Sequence, residues 1–361
     1  MLKKLIVSAL LFATLMCIAG AVVYYKATQI GELQIDLREA TVIQVRKGHT
    51  ASTVWRELRE NKLSAREDFS DILFKIWIRL NPQFNQVKIG YYRFDLAYLT
   101  KTQQQEATSI SVSDLYQRIA DGQQTQFSLM LVEGQTIREW LEALSLISSL
   151  QQDIAPIEQV YEQIHAALNI DLSRSFCQNE RRSIEGCLLA DTYFYEYQDS
   201  ALSILTRAFK AMDRELDIAW NARYQDIPIA TPYEALILAS IIEKETGLPV
   251  ERGVIAGVFS NRLELGMRLQ TDPTVIYGIG ESFDGDITRA HLREKTAYNT
   301  YRIDGLPPTP IAMAGKPSLY AAVQPELTDY LYFVSKGDGS HQFSETLEEH
   351  NQAVAEYQLN Q

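Results

Sequence analysis

Glu243 and Glu245 directly follow an apolar run, Ala235-Leu-Ile-Leu-Ala-Ser-Ile-Ile242, in which only Ser240 is polar. Thr231, Pro232 and Glu234 give that run the start signals of a helix: a cap, a proline in the first turn and the partner of a capping box. Gly247 and Pro249 supply the stop. A helix apolar on every side is a buried helix, so the pattern predicts two carboxylates at the C-terminal end of a buried helix. The negative end of the helix dipole and partial burial both disfavour a charged carboxylate there. Together they raise its pKa toward that of a general acid holding its proton near neutrality. Two residues along a helix is about 200° of rotation, so Glu243 and Glu245 point apart and cannot share a proton. Glu245 continues the row of Leu238, Ile241 and Ile242, while Glu243 continues Leu236, Ala239 and Ser240. The first row favours Glu245 as the dehydrated acid. The plainer alternative is a pair of solvated helix-end glutamates matched to Lys244 or Arg252.

Further polar and aromatic runs follow in turn-rich contexts: Gln270-Thr271-Asp272 with Tyr277, Tyr298-Asn299-Thr-Tyr301, Gly305-Leu-Pro-Pro308, Tyr330 to Val334, and His341-Gln-Phe343. Amide, hydroxyl and ring groups of this kind suit a cleft that bonds sugar hydroxyls and acetamides and stacks on ring faces. The expected substrate contacts are Ser240, Glu243, Gln270, Thr271, Asp272, Tyr277, Tyr298, Asn299 and Tyr301. Gln270 and Asn299 are candidates to steady positive charge in a reacting sugar.

The elements that must hold these residues divide along the chain. Lys3 and Lys4 precede an apolar run from Leu5 to Tyr25, long enough to cross a bilayer as a helix. The lysines favour a cytoplasmic N-terminus and an outward-facing remainder. A retained anchor is favoured over a cleaved signal peptide, because no small-x-small site closes the run before Tyr24. It is also favoured over a lipoprotein signal, because Met16 precedes Cys17. The expected organisation is cytoplasmic residues 1–4, a transmembrane helix 5–25, a stem 26–40, a subdomain 41–100, a linker and helix 101–125, and a catalytic domain 126–361. Within 41–100 the pattern predicts a strand Thr41–Arg46, a helix from about Ala51 to Glu60, a second helix from about Ala65 to Leu80 capped by Ser64 with Glu67, and a returning strand between Val87 and Leu96. A helix from about Val112 to Asp121 ends at Gly122, and Phe127 to Val132 reads as a strand. Gly134-Gln-Thr136 with Leu144 echoes Gly48-His-Thr50 with Leu58, as a duplication or a recurring turn. Residues 151–230 read as mostly helical, with Glu185-Gly-Cys-Leu-Leu-Ala-Asp191-Thr-Tyr193 as a shaped loop or a packed connection. A helix is expected over about Val250 to Leu265, stopping at Gly266. The fold class is α+β.

Composition excludes some functions. The 361 residues carry 34 basic and 46 acidic side chains, a net charge of −12, with no basic stripe. Nucleic-acid binding through phosphate neutralisation is therefore not expected. Cys177 and Cys187 stand ten apart, as a bridge in an oxidising compartment or as two small buried side chains. No His joins them at ligand spacing, so no metal and no cofactor are expected.

Several words occur together in one order: Leu238-Ala-Ser-Ile-Ile-Glu-Lys-Glu-Thr246, Val258-Phe-Ser-Asn-Arg-Leu263, Arg268-Leu-Gln-Thr-Asp-Pro-Thr-Val-Ile-Tyr-Gly278, Tyr298-Asn-Thr-Tyr301 and Gly305-Leu-Pro-Pro308. In these the chain resembles the MltG/YceG-like endolytic murein transglycosylases, from the apolar N-terminus to about Gln352. The resemblance implies that Glu245, second glutamate of the E-K-E-T word, is the catalytic acid and base. It implies cleavage of the β-1,4 bond between N-acetylmuramic acid and N-acetylglucosamine without water, leaving 1,6-anhydro ends. It implies peptidoglycan glycan strands as substrate, peptidoglycan synthases as candidate partners, and an inner-membrane anchor with the catalytic domain in the periplasm. The strand-helix-helix-strand order of residues 41–100, opening with Val45-x-x-Gly48-x-Thr50, resembles a LysM-type module. Ala190 stands where the family often has Pro, and Ala312-Met-Ala-Gly315 where it often has Asn-Pro-Gly. The alternatives are a two-carboxylate hydrolase using Asp272 or Glu243, and a non-catalytic glycan-binding scaffold.

Overall fold

A computed structural model describes residues 2–61, 70–96 and 108–359. The chain forms two compact units, residues 1–127 and 128–361.

The first unit begins with helix α1 (Leu2–Thr28). Its residues 5–26 are exposed, and it is long and apolar enough to cross a membrane by length and composition. Strand β1 (Gln34–Asp36) pairs antiparallel with β4 (Ser109–Ser111), Ile35 opposite Ile110. Strand β2 (Thr41–Val45) pairs antiparallel with β3 (Gly90–Phe94), Ile43 opposite Tyr92. Between β2 and β3 lie α2 (Ala51–Asn61) and α3 (Asp71–Leu80). The expected strand-helix-helix-strand order is therefore present. The expected cap Ser64 with Glu67 lies outside the described residues, and the described helix α3 is capped by Ser70, whose hydroxyl accepts from the Leu73 amide. Trp55 stacks on Phe74 at 4.8 Å between ring centroids, and Trp77, Phe84 and Tyr116 complete one aromatic core. Residues 26–40 are not a free stem. Ala27, Ile30, Leu33, Ile35 and Leu37 are buried in that same core, because their apolar side chains recur at a spacing that one face of a turn and then a strand can bury together. Helix α4 (Val112–Asp121) starts at the Ser111 cap and stops at Gly122, where φ is +74°.

The second unit carries a two-stranded pair, β5 (Phe127–Met130) with β6 (Thr192–Tyr195). Helix α5 (Ile137–Ser145) is opened by a complete capping box of Thr136 and Glu139. Residues 151–230 are less helical than their composition suggests. They hold α6 (Val160–Leu168), α7 (Ala201–Asn221), strand β6 and a looped stretch closed by a Cys177–Cys187 disulfide with Cα atoms 5.9 Å apart. The turns there satisfy their backbone through side chains, as where Asn179 bonds Cys177 and Ser183. Then follow α8 (Pro232–Glu245), α9 (Arg252–Glu264), α10 (Asp272–Ile279), α11 (Arg289–Arg293) and α12 (Lys316–Val323). The hairpin β7 (Tyr332–Ser335) with β8 (His341–Ser344) and helix α13 (Leu347–Val354) complete the unit.

Helix α8 is the axis of this unit. Every residue from Ala235 to Ile242 is buried. Side chains of α7, α9 and α12 share its cluster, including Met212, Leu216, Ile255, Phe259, Leu319 and Val323. An all-apolar helix gains its stability from that enclosure rather than from an amphipathic face. Replacing Leu238, which is fully buried, by Ala should lower the stability of this unit by about 2–5 kcal/mol. Urea denaturation followed by tryptophan fluorescence checks this, and an unshifted midpoint would contradict the central place of α8.

Candidate active site

Helix α8 delivers Glu245 as its last residue. The residue is half-buried, and protein groups enclose its carboxyl. The Thr271 hydroxyl donates to Glu245 Oε1. Burial pushes the carboxyl up to about 7, and the charge of Asp272 adds to the rise. The Thr271 hydrogen bond, His341 and Arg262 pull against it. Desolvation prevails because the Thr271 donor and the more distant groups recover only part of the lost hydration.

Thr271 is itself locked. Its amide donates to Thr300 Oγ1 at 3.0 Å, and the Gln270 amide donates to the Thr300 carbonyl at 3.2 Å. Thr274 and Thr300 share a further hydroxyl contact at 2.8 Å, and all three threonines are buried. Gln270 adopts a left-handed backbone with φ +50°, a sparsely populated state for a residue with a Cβ. Asp272 is exposed and accepts from the Tyr301 hydroxyl at 2.8 Å. Hydrogen bonds and chain adjacency thus bring together Glu245, Gln270, Thr271, Asp272 and Tyr301.

Buried cations hold the frame. Arg262 donates to the Leu331 carbonyl at 2.6 Å and to the Leu269 carbonyl at 2.7 Å, tying α9 to strand β7 and to the loop before Thr271. Burial lowers its pKa from the usual arginine value. Glu251 accepts from the His341 amide at 2.9 Å and lies 2.7 Å from His341 Nδ1, fixing β8 against the start of α9.

Tyr277 and Tyr298 form a neighbouring pair, edge to face at 5.0 Å. Tyr298 shares a hydroxyl contact of 2.8 Å with Thr309. The Tyr277 hydroxyl donates to Glu185 at 3.2 Å, and the other Glu185 oxygen accepts from the Ile137 amide at the start of α5. Burial pushes Glu185 up to about 8, against the pull of those two donors. Gly186, next in chain, has φ +73°, and a Cβ there would meet Pro310 at 2.3 Å. That close approach explains the acid-Gly pair.

Three of the expected contacts make hydrogen bonds within the fold. Ser240 is fully buried; its hydroxyl donates to the Ile237 carbonyl at 2.7 Å and accepts from the Ile311 amide at 3.0 Å. It pins a loop. The Glu243 carboxylate accepts from the Gly315 amide at 3.1 Å and lies 3.9 Å from Arg252. Two residues along the helix turn it about 200° from Glu245. Asn299 is fully buried and spends its amide on the His291 and Glu294 carbonyls and the Tyr301 amide. It shapes the Tyr298–Tyr301 turn. The roles of Glu185, Glu251, Arg262 and Thr300 were not separable in the sequence, although Glu185, Arg262 and Thr300 stand inside distinctive words. The departures at Ala190 and Ala312–Ala314 are buried. Met313 exchanges backbone hydrogen bonds with Gly134 and Gln135, which fixes that loop without Asn-Pro-Gly.

Residues 43–356 match the YceG-like family. The chain belongs to that family. Among curated relatives, an endolytic murein transglycosylase of Bacillus subtilis is 28% identical over 342 residues, covering 94% of this chain and 91% of the relative. One of Streptococcus pneumoniae is 22% identical, covering 98% of this chain and 65% of the relative. The crystal structure of a YceG-like protein from Listeria monocytogenes aligns with a TM-score of 0.52 at 28% identity, covering 88% of this chain and 99% of that one. The E-K-E-T and Q-T-D-P words of the family meet here at one hydrogen bond, from Thr271 to Glu245.

Thr271→Val removes a donor that favours the ionised form of Glu245. With Glu245 as the acid, the alkaline limb of the activity profile is expected near pH 7 and should move to higher pH in this variant, as kcat/KM against pH will measure. Glu245→Gln should stabilise the fold increasingly as pH rises from about 4.5 to about 7. The native group holds its proton longer than the unfolded one, so its favourable contribution is present at low pH and lost through that window. Denaturation midpoints across pH check the sign, and a gain confined to acid pH would contradict it.

Proposed function

We propose that this chain is a lytic transglycosylase of peptidoglycan with Glu245 as its single catalytic acid and base. The observation that carries the proposal is a carboxyl at the end of α8, on a half-buried residue, pushed up to about 7 by desolvation. The protonated acid gives its proton to the oxygen between N-acetylmuramic acid and N-acetylglucosamine. The C1–O bond breaks and C1 gains oxocarbenium character. The carboxylate left behind takes the proton of the muramoyl C6 hydroxyl as that oxygen closes on C1, giving the 1,6-anhydro ring. No water is consumed, and one carboxyl serves both steps. Gln270, Asp272 and Tyr301 face the reacting sugar while Thr271 orients Glu245, and Tyr277 with Tyr298 offers an aromatic wall for a neighbouring one. The names of the Bacillus and Streptococcus relatives support the substrate and the reaction class.

The apolar helix α1 anchors the protein in the inner membrane with Lys3 and Lys4 in the cytoplasm and the second unit in the periplasm. The β2–α2–α3–β3 arrangement of the first unit is LysM-like and binds N-acetylglucosamine-containing chains. From that position the enzyme reaches newly made strands beside the synthases and terminates them. A second reading, a muramidase-type hydrolase with Asp272 as the second carboxylate, draws on the electrostatic coupling of Asp272 to Glu245. Mass spectrometry of the products decides between them: anhydro ends mark transglycosylation and reducing ends mark hydrolysis. Glu245→Gln should lower turnover by roughly 10²–10⁴-fold with the fold intact. Full activity in that variant would remove Glu245 from the mechanism.

A further inference from the structure

A second feature shares a wall with the Glu245 site. A pocket of about 370 Å³ is lined by Arg268, Gln270, Arg289, Leu292, Arg293, Tyr301 and Arg302. Tyr301 is the residue whose hydroxyl bonds Asp272, and Gln270 immediately precedes the threonine that bonds Glu245. The two sites therefore share the Gln270–Asp272 loop and the Tyr301 side chain that bonds it. Four guanidinium groups in one pocket are conspicuous in a chain of net charge −12. Only Arg268 has a carboxylate partner, the exposed Asp304 at 2.9 Å. Among the described residues no carboxylate lies within 4.0 Å of Arg289, Arg293 or Arg302. The frame of the pocket is set by backbone acceptors: Arg302 donates to the Leu292 carbonyl at 3.1 Å and Arg268 to the Tyr301 carbonyl at 3.2 Å.

Like charges gathered in one concavity repel, and an anion that enters it relieves that repulsion. Planar guanidinium forks match carboxylate and phosphate oxygens in a bidentate manner. We propose that this pocket is an anionic subsite that takes a negatively charged group borne by the same glycan strand on which Glu245 acts. The inference rests on the proposed substrate class. Two parts of such a strand carry the required chemistry: carboxylates of the stem peptides, and the pyrophosphate that joins a nascent strand to its lipid. Either would fix which bond lies under Glu245, since the pocket and the acid are joined through Tyr301 and Gln270.

Binding is measured with the full chain in detergent, in the Glu245→Gln background so that strands are not consumed. The comparison is with the same protein carrying Arg289→Gln and Arg293→Gln, both at exposed positions. The probes are peptide-bearing strands, strands with each peptide replaced by an amide, strands ending in lipid pyrophosphate, and strands from which the pyrophosphate has been removed. The double variant should bind the charged strands roughly tenfold more weakly, with a flatter dependence on salt. A penalty that disappears with the peptides assigns the pocket to their carboxylates. One that disappears with the lipid end assigns it to pyrophosphate. A Lys pair at 289 and 293 should recover part of the affinity. Equal affinities of the two proteins for every strand, or an equal loss on strands lacking both charged groups, would overturn the subsite. Full turnover by the Glu245→Gln protein would instead remove the catalytic assignment and leave this binding result standing.

Discussion

A carboxyl group has to be dry enough to hold a proton and open enough to give it away. Helix α8 meets the first half of that constraint by being apolar on every side, so that its last residue emerges from a packed core rather than from a solvated surface. The second half requires that one side of Glu245 remain uncovered. The loop at Thr271 then has to approach closely enough to orient the carboxyl without enclosing it. The threonine cluster of 271, 274 and 300 supplies that rigidity with short, stiff side chains whose hydroxyls are all used.

Most of the polar groups around this acid are there to hold backbone. Arg262, Glu243, Ser240 and Asn299 are buried or nearly so, and each is bonded to main-chain groups, from distant segments for the first three and from the preceding loop for Asn299. A buried polar side chain is costly unless paired, so these residues define one arrangement of loops rather than a deformable one. Glu185 extends the same logic to a second enclosed carboxyl, held between the start of α5 and Tyr277. Two glutamates with raised pKa values therefore differ in role. One is half accessible and adjoins Asp272, and the other is sealed and braces an aromatic pair.

What could be read in the sequence followed from local rules. The cap at Thr231, the stop after Glu245, the turn at Gly122 and the alternation in β2 each depend on a few adjacent residues, and each stands where those residues put it. The divergence of Glu243 and Glu245 followed from helical rotation alone. Other features depended on distant partners and were hidden. Ser240 and Asn299 are polar residues in promising words, yet whether such a group faces a cleft or a loop backbone is decided by Ile311 in one case and by His291 and Glu294 in the other. The span 26–40 looked like a polar connector because its buried residues alternate with charged ones. Its strand partner stands about seventy residues further on, where Ser109–Ser111 completes it. Helix α12 was not among the expected elements, being short and apolar, although Pro317 near its start is a common helix opening.

The central claim is that the Glu245 carboxyl keeps its proton near neutrality. A carbon-13 NMR titration of the glutamate carboxyl signals, with the Glu245 resonance assigned by its loss in a Glu245 variant, tests it directly. The account predicts a midpoint at about 7 for that one signal. A midpoint at the ordinary glutamate value near 4.5 would contradict it.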